Sequence, residues 1–507
     1  MQRLESELLR EAKRLISRNE SRQRLLAEEN ARRARRTTRA YAILKLPQPR
    51  QWALHDGFNP FLTRARSACI AHSIRARFAS RTYKPRRPVA FDVPKSDGSA
   101  RQVCIYQVAD SAVSKMIFEG ALKKNLPILS PRAYAYRKDV SAQNAIQYVQ
   151  SEFKGRSRLF VAEYDFSRYF DNIDHEHIKR VLADHFLLTA AERHAVTEFL
   201  EVAPCGEVDY SPEGGDTRQR GIPQGTSISL FLANVAAWEL DRALERIGVG
   251  FARYADDTLI WSVDYGRICE AADHLHQYSK GIGVSVNSQK SPGVRLLVPT
   301  GAPAEMEATQ NVDYLGYRLG LGVTTLRESS IEKMRARISQ LTYWGLLCEP
   351  MRSAQNPGRF AGEVDSDYVS VIWRLRRYLY GDLSEKEVRR YQRKEVPLRR
   401  FRGVMSAYPL VDDGQDLEEL DTWIVDHLFL TMRKRSRLLR AQGFGPELPV
   451  PHNVPRSSLR TLTGRSSATG QTIDLAVPSV RRIARVIRAA ASRHGPGVVG
   501  RADPYHY

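Results

Sequence analysis

Two adjacent carboxylates, Asp256 and Asp257, lie between apolar segments of strand-like composition at residues 250–252 and 259–261. Neighbouring anions repel each other, and an apolar environment makes it costlier to keep both charged. Successive side chains of a strand point to opposite faces, so both carboxylates reach one place only if a turn separates two strands. We therefore predict a hairpin with Asp256 and Asp257 at its tip. Either a divalent metal binds both carboxylates there, or the pair is an ordinary solvated turn.

The net charge of the chain narrows the class of its partner. Its 507 residues include 78 Lys and Arg against 57 Asp and Glu, which gives a formal net charge of +21. An excess of this size favours a polyanion as partner, nucleic acid before an anionic membrane. A basic protein without such a partner is the alternative. The length predicts two to four domains.

The cysteines and the apolar segments indicate a reducing compartment. The chain has five cysteines, an odd number without a Cys-x-x-Cys pair, which argues against a disulfide scaffold or a zinc site. The chain contains no run of about 18 apolar residues, so no transmembrane helix is predicted. Its charged N-terminus lacks the apolar core of a signal peptide. We expect a cytoplasmic protein that has no membrane partner.

A basic hairpin is predicted in the first quarter of the chain. Residues 89–94 and 101–105 have strand-like patterns, and Gly98 permits the turn between them. The hairpin places Lys95 and Arg101 near its tip, where two cations suit a triphosphate. An ordinary basic hairpin is the alternative.

A third carboxylate and a glycine-rich loop lie between these two hairpins. An apolar strand is predicted to end at Asp165, and Phe170 follows five residues later. Residues 220–229 are rich in glycine and hydroxyl groups and open a long helix predicted over 230–247, so their backbone can approach a flat or anionic ligand. Asp174 is a predicted N-cap, and the histidines at 175 and 177 are expected to be solvated.

The order of these features points to one kind of chemistry. Phosphoryl transfer by two metal ions needs about three carboxylates that hold the ions roughly 3.5–4 Å apart. Asp165, Asp256 and Asp257 supply such a set, one ion activating an attacking 3′-hydroxyl and the other stabilising the leaving pyrophosphate. The basic hairpin would hold the triphosphate. The sequence therefore predicts nucleotidyl transfer.

These segments resemble the reverse transcriptases over roughly residues 80–320. Tyr254-Ala255-Asp256-Asp257 resembles their Tyr-x-Asp-Asp motif, and the segment from Asp165 to Asp171 resembles their first catalytic segment. The resemblance implies an α+β right-hand polymerase, with fingers and an antiparallel palm sheet followed by an α-helical thumb-like region. It also implies an RNA template, deoxynucleotide substrates, a DNA product and two Mg²⁺ ions, with Mn²⁺ as an alternative. The implied metal-site residues are Asp165, Phe166, Asp256 and Asp257.

The resemblance also assigns roles around the catalytic carboxylates. The aromatic residue at 170 occupies the position that excludes a ribose 2′-hydroxyl, and residues 313–317 resemble the primer-grip hairpin, including Tyr314 and Gly316. The implied nucleotide-binding set is Lys95, Arg101, Phe170, Gln224, Gly225 and Lys290.

Basic segments outside the motifs are predicted to contact nucleic acid. They are an N-terminal helix reaching about residue 45, an aromatic and cationic stretch at 134–138, and a last helix with arginines around an apolar face. Solvated helix faces and a core-lining aromatic pair are the alternatives. The predicted contacts are Arg32, Arg33, Arg35, Arg36, Arg137, Arg481, Arg482 and Arg485.

We expect four parts in the chain. They are a basic N-terminal helical arm at 1–50, fingers and palm at 51–330, a thumb-like helical region at 331–445, and a basic tail with a final helix at 446–507.

The subgroup is indicated by smaller features. Ser229-Leu230 stands where retron and group II intron enzymes have Ser-Pro, and neither a zinc-ligand set nor an endonuclease-like tail is recognised. The run from Ser227 to Asn234 and the α-rich tail look more like the bacterial abortive-infection and unknown-group reverse transcriptases. Those act in anti-phage defence, often with a noncoding RNA.

Several alternatives stay open from sequence. They are a retron-like or group II intron-like enzyme, template-independent synthesis, protein-primed synthesis and a non-catalytic RNA-binding module. Tyr505 and Tyr507 are examples of hydroxyls that would suit protein priming, and a homo-oligomer is also compatible with the sequence.

Overall fold

The computed structural model describes residues 3–94, 98, 100–465 and 469–500. The predicted contact of Lys95 and the hydroxyls of Tyr505 and Tyr507 therefore lie outside the described residues. Within the ranges given, no helix combines the length and the apolar character needed to cross a membrane.

Within the residues that the structure describes, the strands are short and fall into five sheets. They are β1 (Val89–Pro94), β2 (Ala100–Ile105), β3 (Leu159–Tyr164), β4 (Phe166–Ser167), β5 (Gly250–Tyr254), β6 (Asp257–Ser262), β7 (Ser285–Val286), β8 (Gly293–Leu297), β9 (Ala308–Thr309), β10 (Val312–Tyr314), β11 (Tyr317–Leu319), β12 (Thr324–Leu326), β13 (Thr463–Arg465) and β14 (Thr472–Asp474).

The helices surround these sheets and dominate the C-terminal third, where a π-helical turn (Tyr343–Leu347) joins α13 to α14. They are α1 (Leu4–Arg36), α2 (Gln51–Leu54), α3 (Pro60–Ala65), α4 (Ser67–Ala79), α5 (Val108–Asn125), α6 (Ala142–Phe153), α7 (Tyr169–Asn172), α8 (His175–His185), α9 (Ala190–Glu201), α10 (Ser227–Ala236), α11 (Trp238–Ile247), α12 (Tyr265–Gly281), α13 (Glu328–Thr342), α14 (Cys348–Met351), α15 (Ser366–Tyr380), α16 (Glu385–Arg393), α17 (Gln415–Ala441), α18 (Val480–His494) and α19 (Pro496–Val499).

The central sheet has the strand order β5-β6-β3-β8-β9, and its first four strands pair antiparallel. Side chains of β3 alternate between two apolar cores, because successive strand residues point to opposite faces. Leu159 and Val161 pack in the core shared with the C-terminal helices, whereas Phe160 and Ala162 pack in the N-terminal core. The sheet is therefore covered by an apolar core on each face of β3.

Two predicted helices differ in the structure. The helix predicted over 230–247 is divided into α10 and α11 at Ala237, whose φ and ψ of −92° and 1° leave the helical range. The N-terminal helix ends at Arg36 rather than near residue 45, because Thr37 turns extended and bridges to Gln355. The first half of α1 packs on α3, α4 and α5 through a stripe that includes Leu4, Leu8 and Ala12.

A fully buried ion pair joins the central sheet to α11. Nε and Nη2 of Arg253 on β5 donate to the two carboxylate oxygens of Asp241, both at 2.7 Å, and neither side chain is exposed. Burial alone would lower the pKa of Arg253, but the adjacent Asp241 carboxylate raises that pKa above its usual value. The Nη1 atom also donates to the carbonyl of Ala255 at 3.0 Å. The pair therefore fixes the end of β5 and the turn that follows it.

We predict that Asp241→Ala lowers the free energy of unfolding by about 3–5 kcal/mol, because it leaves the Arg253 guanidinium buried without its counter-ion. Urea unfolding measures this. The matched control is Glu239→Ala in the same helix, whose ion pair with Arg180 is partly exposed, so its loss costs under about 1 kcal/mol. Equal, small effects of the two substitutions would contradict a structural role for the buried pair.

Candidate active site

The three predicted carboxylates lie at one end of the central sheet. Asp165 follows the last residue of β3, and the β3–β6 register pairs Tyr164 with Thr258. One step further along this antiparallel register places Asp165 beside Asp257. The prediction that a strand delivers Asp165 next to the Asp-Asp hairpin is confirmed.

The turn of that hairpin lies one residue earlier than predicted. Tyr254 of β5 pairs with Asp257 of β6, so the two turn residues are Ala255 and Asp256, and Asp257 is already in the returning strand. Ala255 has a φ of +61°, which residues with a side chain rarely adopt. Strain of this kind costs about 1–3 kcal/mol and persists only where the surroundings enforce it. Here the enforcing contact is the hydrogen bond from Arg253 to the carbonyl of Ala255.

The carboxylates oppose one another's ionisation. Burial raises the pKa of Asp257 to about 8, and the charges of Asp256, Asp165 and Glu163 add to that rise. Burial also raises the pKa of Asp256, which Asp165 raises further and Arg101 lowers. In the described residues the site is therefore short of positive charge for its carboxylates.

Asp165 is held by the segment 287–291, whose Lys290 the resemblance assigned to the nucleotide. The Nζ atom of Lys290 lies 3.1 Å from Oδ2 of Asp165, and Nδ2 of Asn287 donates to the same oxygen at 3.2 Å. The backbone N–H of Asp165 donates to Oγ of Ser291 at 3.1 Å. A lysine is thus positioned beside the predicted catalytic carboxylates.

The glycine-rich loop joins the basic hairpin to the palm. The N–H of Cys104 on β2 donates to the carbonyl of Gln224 at 2.6 Å, and the Gln224 side chain donates to Asp171 at 3.2 Å. Gly225 has a φ of +134°, and a Cβ there would lie 1.9 Å from the carbonyl oxygen of Cys104. Only glycine allows this approach. The loop also contacts α7, because the N–H of Ile222 donates to the carbonyl of Phe170 at 2.6 Å.

The donor chemistry of this site suits a divalent ion, since closely spaced carboxylates that resist ionisation are compensated by a cation. Within the described part of the chain, no group of three or more His, Cys, Asp or Glu side chains is arranged closely enough to hold a metal ion. The Phe166 side chain is buried, so only the backbone of Phe166 can contribute to the predicted metal set.

The sequence analysis missed a fourth carboxylate. Glu163 lies two residues before Asp165 on β3 and lines the same cleft of about 900 Å³ as Asp165 and Asp257. Its Oε1 accepts from the N–H of Asp313 at 2.8 Å, and its Oε2 pairs with Arg295. The period of two in a strand was the available signal, because residues 163 and 165 share a face.

Tyr314 and Gly316, which the resemblance assigned to the primer grip, differ in their exposure to solvent. Tyr314 is buried, and its hydroxyl donates to the carbonyl of Ala252 at 3.0 Å, so its predicted direct contact with nucleic acid is wrong. Gly316 occupies the β10–β11 turn with a φ of +84°.

Several predicted nucleic-acid contacts are paired within the protein instead. Arg137 is buried and donates to the carbonyls of Ser130 and Ala133, so its predicted contact is wrong. Arg36 is buried too, and is bonded to Glu29 and to the carbonyl of Trp344. A direct phosphate contact by Arg36 is therefore also wrong.

The arginines of the last helix follow the same pattern. The apolar face of α18 is buried as predicted, but Arg481 and Arg485 both pair with Asp413, and Arg482 pairs with Glu385. Compensated guanidiniums are poor partners for phosphates, so the predicted backbone contact by this helix does not fit the structure.

The other basic residues of α1 remain at the surface. Arg32 pairs with Glu28 and Glu29, Arg33 lies over the ring of Tyr41, and Arg35 is exposed.

The histidines after Asp174 are buried rather than solvated. Asp174 caps α8 as predicted. Nε2 of His175 lies 2.8 Å from the carbonyl of Gly221, and Nε2 of His177 lies 2.9 Å from that of Ala236. Both imidazoles therefore serve packing.

An antiparallel sheet that gathers acidic side chains at its strand ends, beside a basic hairpin and a glycine loop, defines a polymerase palm. Residues 93–319 match the family model described as reverse transcriptase (RNA-dependent DNA polymerase). This segment is a reverse transcriptase domain, a class that uses divalent metal ions. The predicted α+β right-hand fold, with a helical thumb-like region after the palm, is confirmed.

Two curated proteins are similar to part of this chain. Protein YkfC of Escherichia coli is 29% identical over 224 residues, which cover 42% of this chain and 55% of YkfC. The COX1/OXI3 intron 1 protein of Saccharomyces cerevisiae is 29% identical over 168 residues, covering 32% of this chain and 18% of that protein. The chain thus spans about half the length of the first relative and less of the second.

Solved structures of telomerase are weakly similar. Apo telomerase from Candida tropicalis has a TM-score of 0.38 at 10% identity, covering 74% of this chain and 63% of that one. Telomerase from Candida albicans, in complex with a fragment of telomeric RNA, has a TM-score of 0.37 at 10% identity, covering 73% and 65%. Similarity at this level adds no argument to the fold.

We predict that Asp257→Asn raises the free energy of unfolding by about 1 kcal/mol at neutral pH without divalent ions. Burial and the neighbouring carboxylates raise the pKa of Asp257 to about 8, so folding at neutral pH keeps this carboxyl largely protonated, and a neutral amide removes the cost of doing so. Chemical unfolding with a chelator present measures this. Asp184→Asn on the exposed surface of α8 is the control and should leave stability nearly unchanged. A less stable Asp257→Asn variant would contradict the prediction that the buried Asp257 carboxyl destabilises the fold.

Proposed function

We propose that the chain is an RNA-directed DNA polymerase that adds deoxynucleotides to a 3′-hydroxyl by a two-metal mechanism. The observation that carries the proposal is the convergence of Asp165, Asp256 and Asp257 at one end of a reverse transcriptase palm. Phosphoryl transfer needs little covalent chemistry from the protein and depends on positioning and charge. This site offers both.

Each side chain has a definite task under this proposal. Asp165 and Asp256 would hold two divalent ions, taken to be Mg²⁺, while Asp257 adds negative charge beside them. When bound, the ions supply the charge that makes the attacking oxygen nucleophilic and stabilises the leaving pyrophosphate. Lys290, now 3.1 Å from Asp165, would turn to the incoming triphosphate together with Arg101, whose charge already acts on Asp256.

The sugar of the incoming nucleotide would be selected by Phe170. The carbonyl of this residue is tied to Ile222 at 2.6 Å, and its ring packs edge-on against Tyr169. A ring fixed in this way would exclude a ribose 2′-hydroxyl and accept a deoxyribose.

The biological setting follows from the subgroup resemblance. We propose that the template is a noncoding RNA and that synthesis serves anti-phage defence, as suggested by the run from Ser227 to Asn234. Sequencing the nucleic acid that copurifies with the chain, after phage infection and without it, tests this. A discrete noncoding RNA and its DNA copy support the proposal, and unselected cellular RNA contradicts it.

The double substitution Asp256→Ala with Asp257→Ala should abolish dNTP incorporation, with a loss of at least about a thousandfold, because the charge stabilisation of the transition state is removed. Primer extension with labelled dNTPs measures the rate, and circular dichroism checks that the variant folds. Synthesis that survives in a folded double variant would eliminate this site as the catalytic centre.

Phe170→Ala should relax sugar selection and raise incorporation of ribonucleotides relative to deoxynucleotides, because the ring no longer fills the space of the 2′-hydroxyl. Competition between the two nucleotide classes in primer extension measures the ratio. Phe61→Ala, on α3 with a partly exposed ring, is the control. An unchanged ratio in Phe170→Ala would remove Phe170 from this role.

A further inference from the structure

The two parts of the chain outside the matched segment 93–319 meet at a basic junction. The second half of α1 reaches the C-terminal helices, where the backbone N–H of Asn356 donates to the carbonyl of Arg36 at 2.8 Å. The N–H of Thr38 donates to the carbonyl of Ala354 at 2.6 Å. Backbone hydrogen bonds therefore already fasten α1 to this region.

Four arginines lie together where α1 meets α13 and α15. Nη2 of Arg36 is 3.1 Å and Nη2 of Arg374 is 3.7 Å from the same Glu29 carboxylate, and Nη1 of Arg32 is 3.2 Å from it. Burial lowers the pKa of Arg374, and the charges of Arg36, Arg32 and Arg337 lower it further while Glu29 opposes them.

We name this group the arginine cluster: Arg32, Arg36, Arg337 and Arg374. Glu28 and Glu29 supply two negative charges against its four positive charges. The cluster thus keeps an excess of two positive charges.

Some guanidinium nitrogens of the cluster have no hydrogen-bond partner. Among the described residues, Nε of Arg36 and Nη1 of Arg374 are buried without one. Arg36 as a whole is 93% buried, being 7% exposed. A buried, unpartnered guanidinium donor is costly, and an anion seated on the cluster would relieve that cost. Arg337 is exposed, and its side-chain bond is to the neutral Gln340, so this arginine is available to such an anion.

Large aromatic side chains flank the cluster and remain exposed. Trp344 is 43% exposed, and its carbonyl accepts from Nη1 of Arg36. Trp373 is 58% exposed and precedes Arg374 on α15. Trp344 belongs to the π-helical turn, a rare element that is found disproportionately at functional sites.

A groove continues the surface beyond the cluster. It has a volume of about 690 Å³, and Trp373, Arg377 and Arg402 line it. Exposed aromatic rings alternating with arginines are the composition of surfaces that bind single strands, because bases stack on the rings while phosphates pair with the guanidiniums.

We propose that this junction binds single-stranded nucleic acid outside the polymerase cleft. A phosphate would lie on Arg337 and Arg374, with Arg32 and Arg36 adding positive charge beside and beneath it, and a neighbouring base would stack on Trp373. The strand is either an unpaired stretch of the RNA template or the DNA product. None of the residues of this site lies in the matched segment 93–319, and none lines the carboxylate cleft.

The test uses the double variant Arg337→Gln with Trp373→Ala in the full chain. Neither residue takes part in the bonds that fasten α1 to the C-terminal helices, so the fold should survive. Binding of labelled oligouridylate and of labelled oligothymidylate is measured by fluorescence anisotropy, with a short primer–template duplex saturating the cleft. The control is Arg246→Gln with Tyr265→Ala, an exposed arginine and an exposed tyrosine on α11 and α12.

We expect the double variant to bind the oligonucleotide at least about tenfold more weakly, given the strength of one stacked base. The slope of log affinity against log salt should fall by about 0.7 for the lost phosphate contact. The control variant should match the wild type. An oligouridylate carrying 4-thiouridine should crosslink to the peptide that contains Trp373.

The outcomes show whether RNA or DNA is the ligand, and they distinguish failure of this binding site from failure of the polymerase proposal. Weakening for RNA alone identifies the template as ligand, weakening for DNA alone identifies the product, and weakening for both supports the site for either strand. Unchanged affinity together with no crosslink at Trp373 overturns the site. Nucleotide addition on the short duplex is measured in parallel and should be equal in all variants. No addition by the wild type would overturn the polymerase proposal while leaving the binding result intact.

Should the double variant unfold in a thermal melt, Arg377→Gln alone replaces it, because Arg377 is fully on the exposed face of α15. It should weaken oligonucleotide binding severalfold and lower the salt slope by a similar amount. Wild-type affinity in that variant, with no crosslink at Trp373 in the wild type, counts against the site.

Discussion

The buried ion pair between Arg253 and Asp241 is the interaction on which the catalytic end of the palm depends. Two charges removed from water are stable only when their geometry is good and their remaining hydrogen bonds are made. This pair meets both conditions with two 2.7 Å bonds and a further bond to the Ala255 carbonyl. The same guanidinium thus neutralises a buried aspartate and enforces a backbone conformation that alanine would otherwise avoid. The Asp-Asp turn owes its shape to a residue that touches no substrate.

The fold brings carboxylates together at that turn in a place where their ionised forms are destabilised. Burial raises the pKa of Asp257 to about 8, and the charges of Asp256, Asp165 and Glu163 add to that rise. Lys290 compensates part of the charge by lying on Asp165. Such an arrangement is poor for stability but suited to divalent cations, because the binding energy of the cation is increased by the repulsion that it relieves. A lysine that now pairs with Asp165 is also free to follow a triphosphate.

The N-terminal helix gives the structure its larger organisation. At 33 residues, α1 is about 50 Å long, with its first half packed on α3, α4 and α5 and its last turn among the C-terminal helices. It connects the two regions that flank the reverse transcriptase domain and brings the arginine cluster together at their meeting point. Elsewhere in the C-terminal region the arginines of α18 are neutralised by acidic partners. Some arginines are neutralised by acidic side chains and others are not. This difference, rather than the net charge of +21, distinguishes the one surface that we propose for a polyanion.

The sequence by itself determined which carboxylates meet at the central site and most of the local structure around them. Asp165 at a strand end, the Asp-Asp hairpin and the glycine loop were readable because short-range periodicity and turn residues report local geometry. Tertiary structure alone decided which charges stay free. Arg36, Arg137 and Arg481 look alike in sequence to Arg337, but folding brings a carbonyl or carboxylate to each of the first three, whereas the side-chain bond of Arg337 is to the neutral Gln340. It also decided that Asp241 pairs with Arg253, that Glu163 joins the cleft and that two histidines are buried. These outcomes depend on contacts between residues distant in the chain, and a local pattern carries no information about such partners.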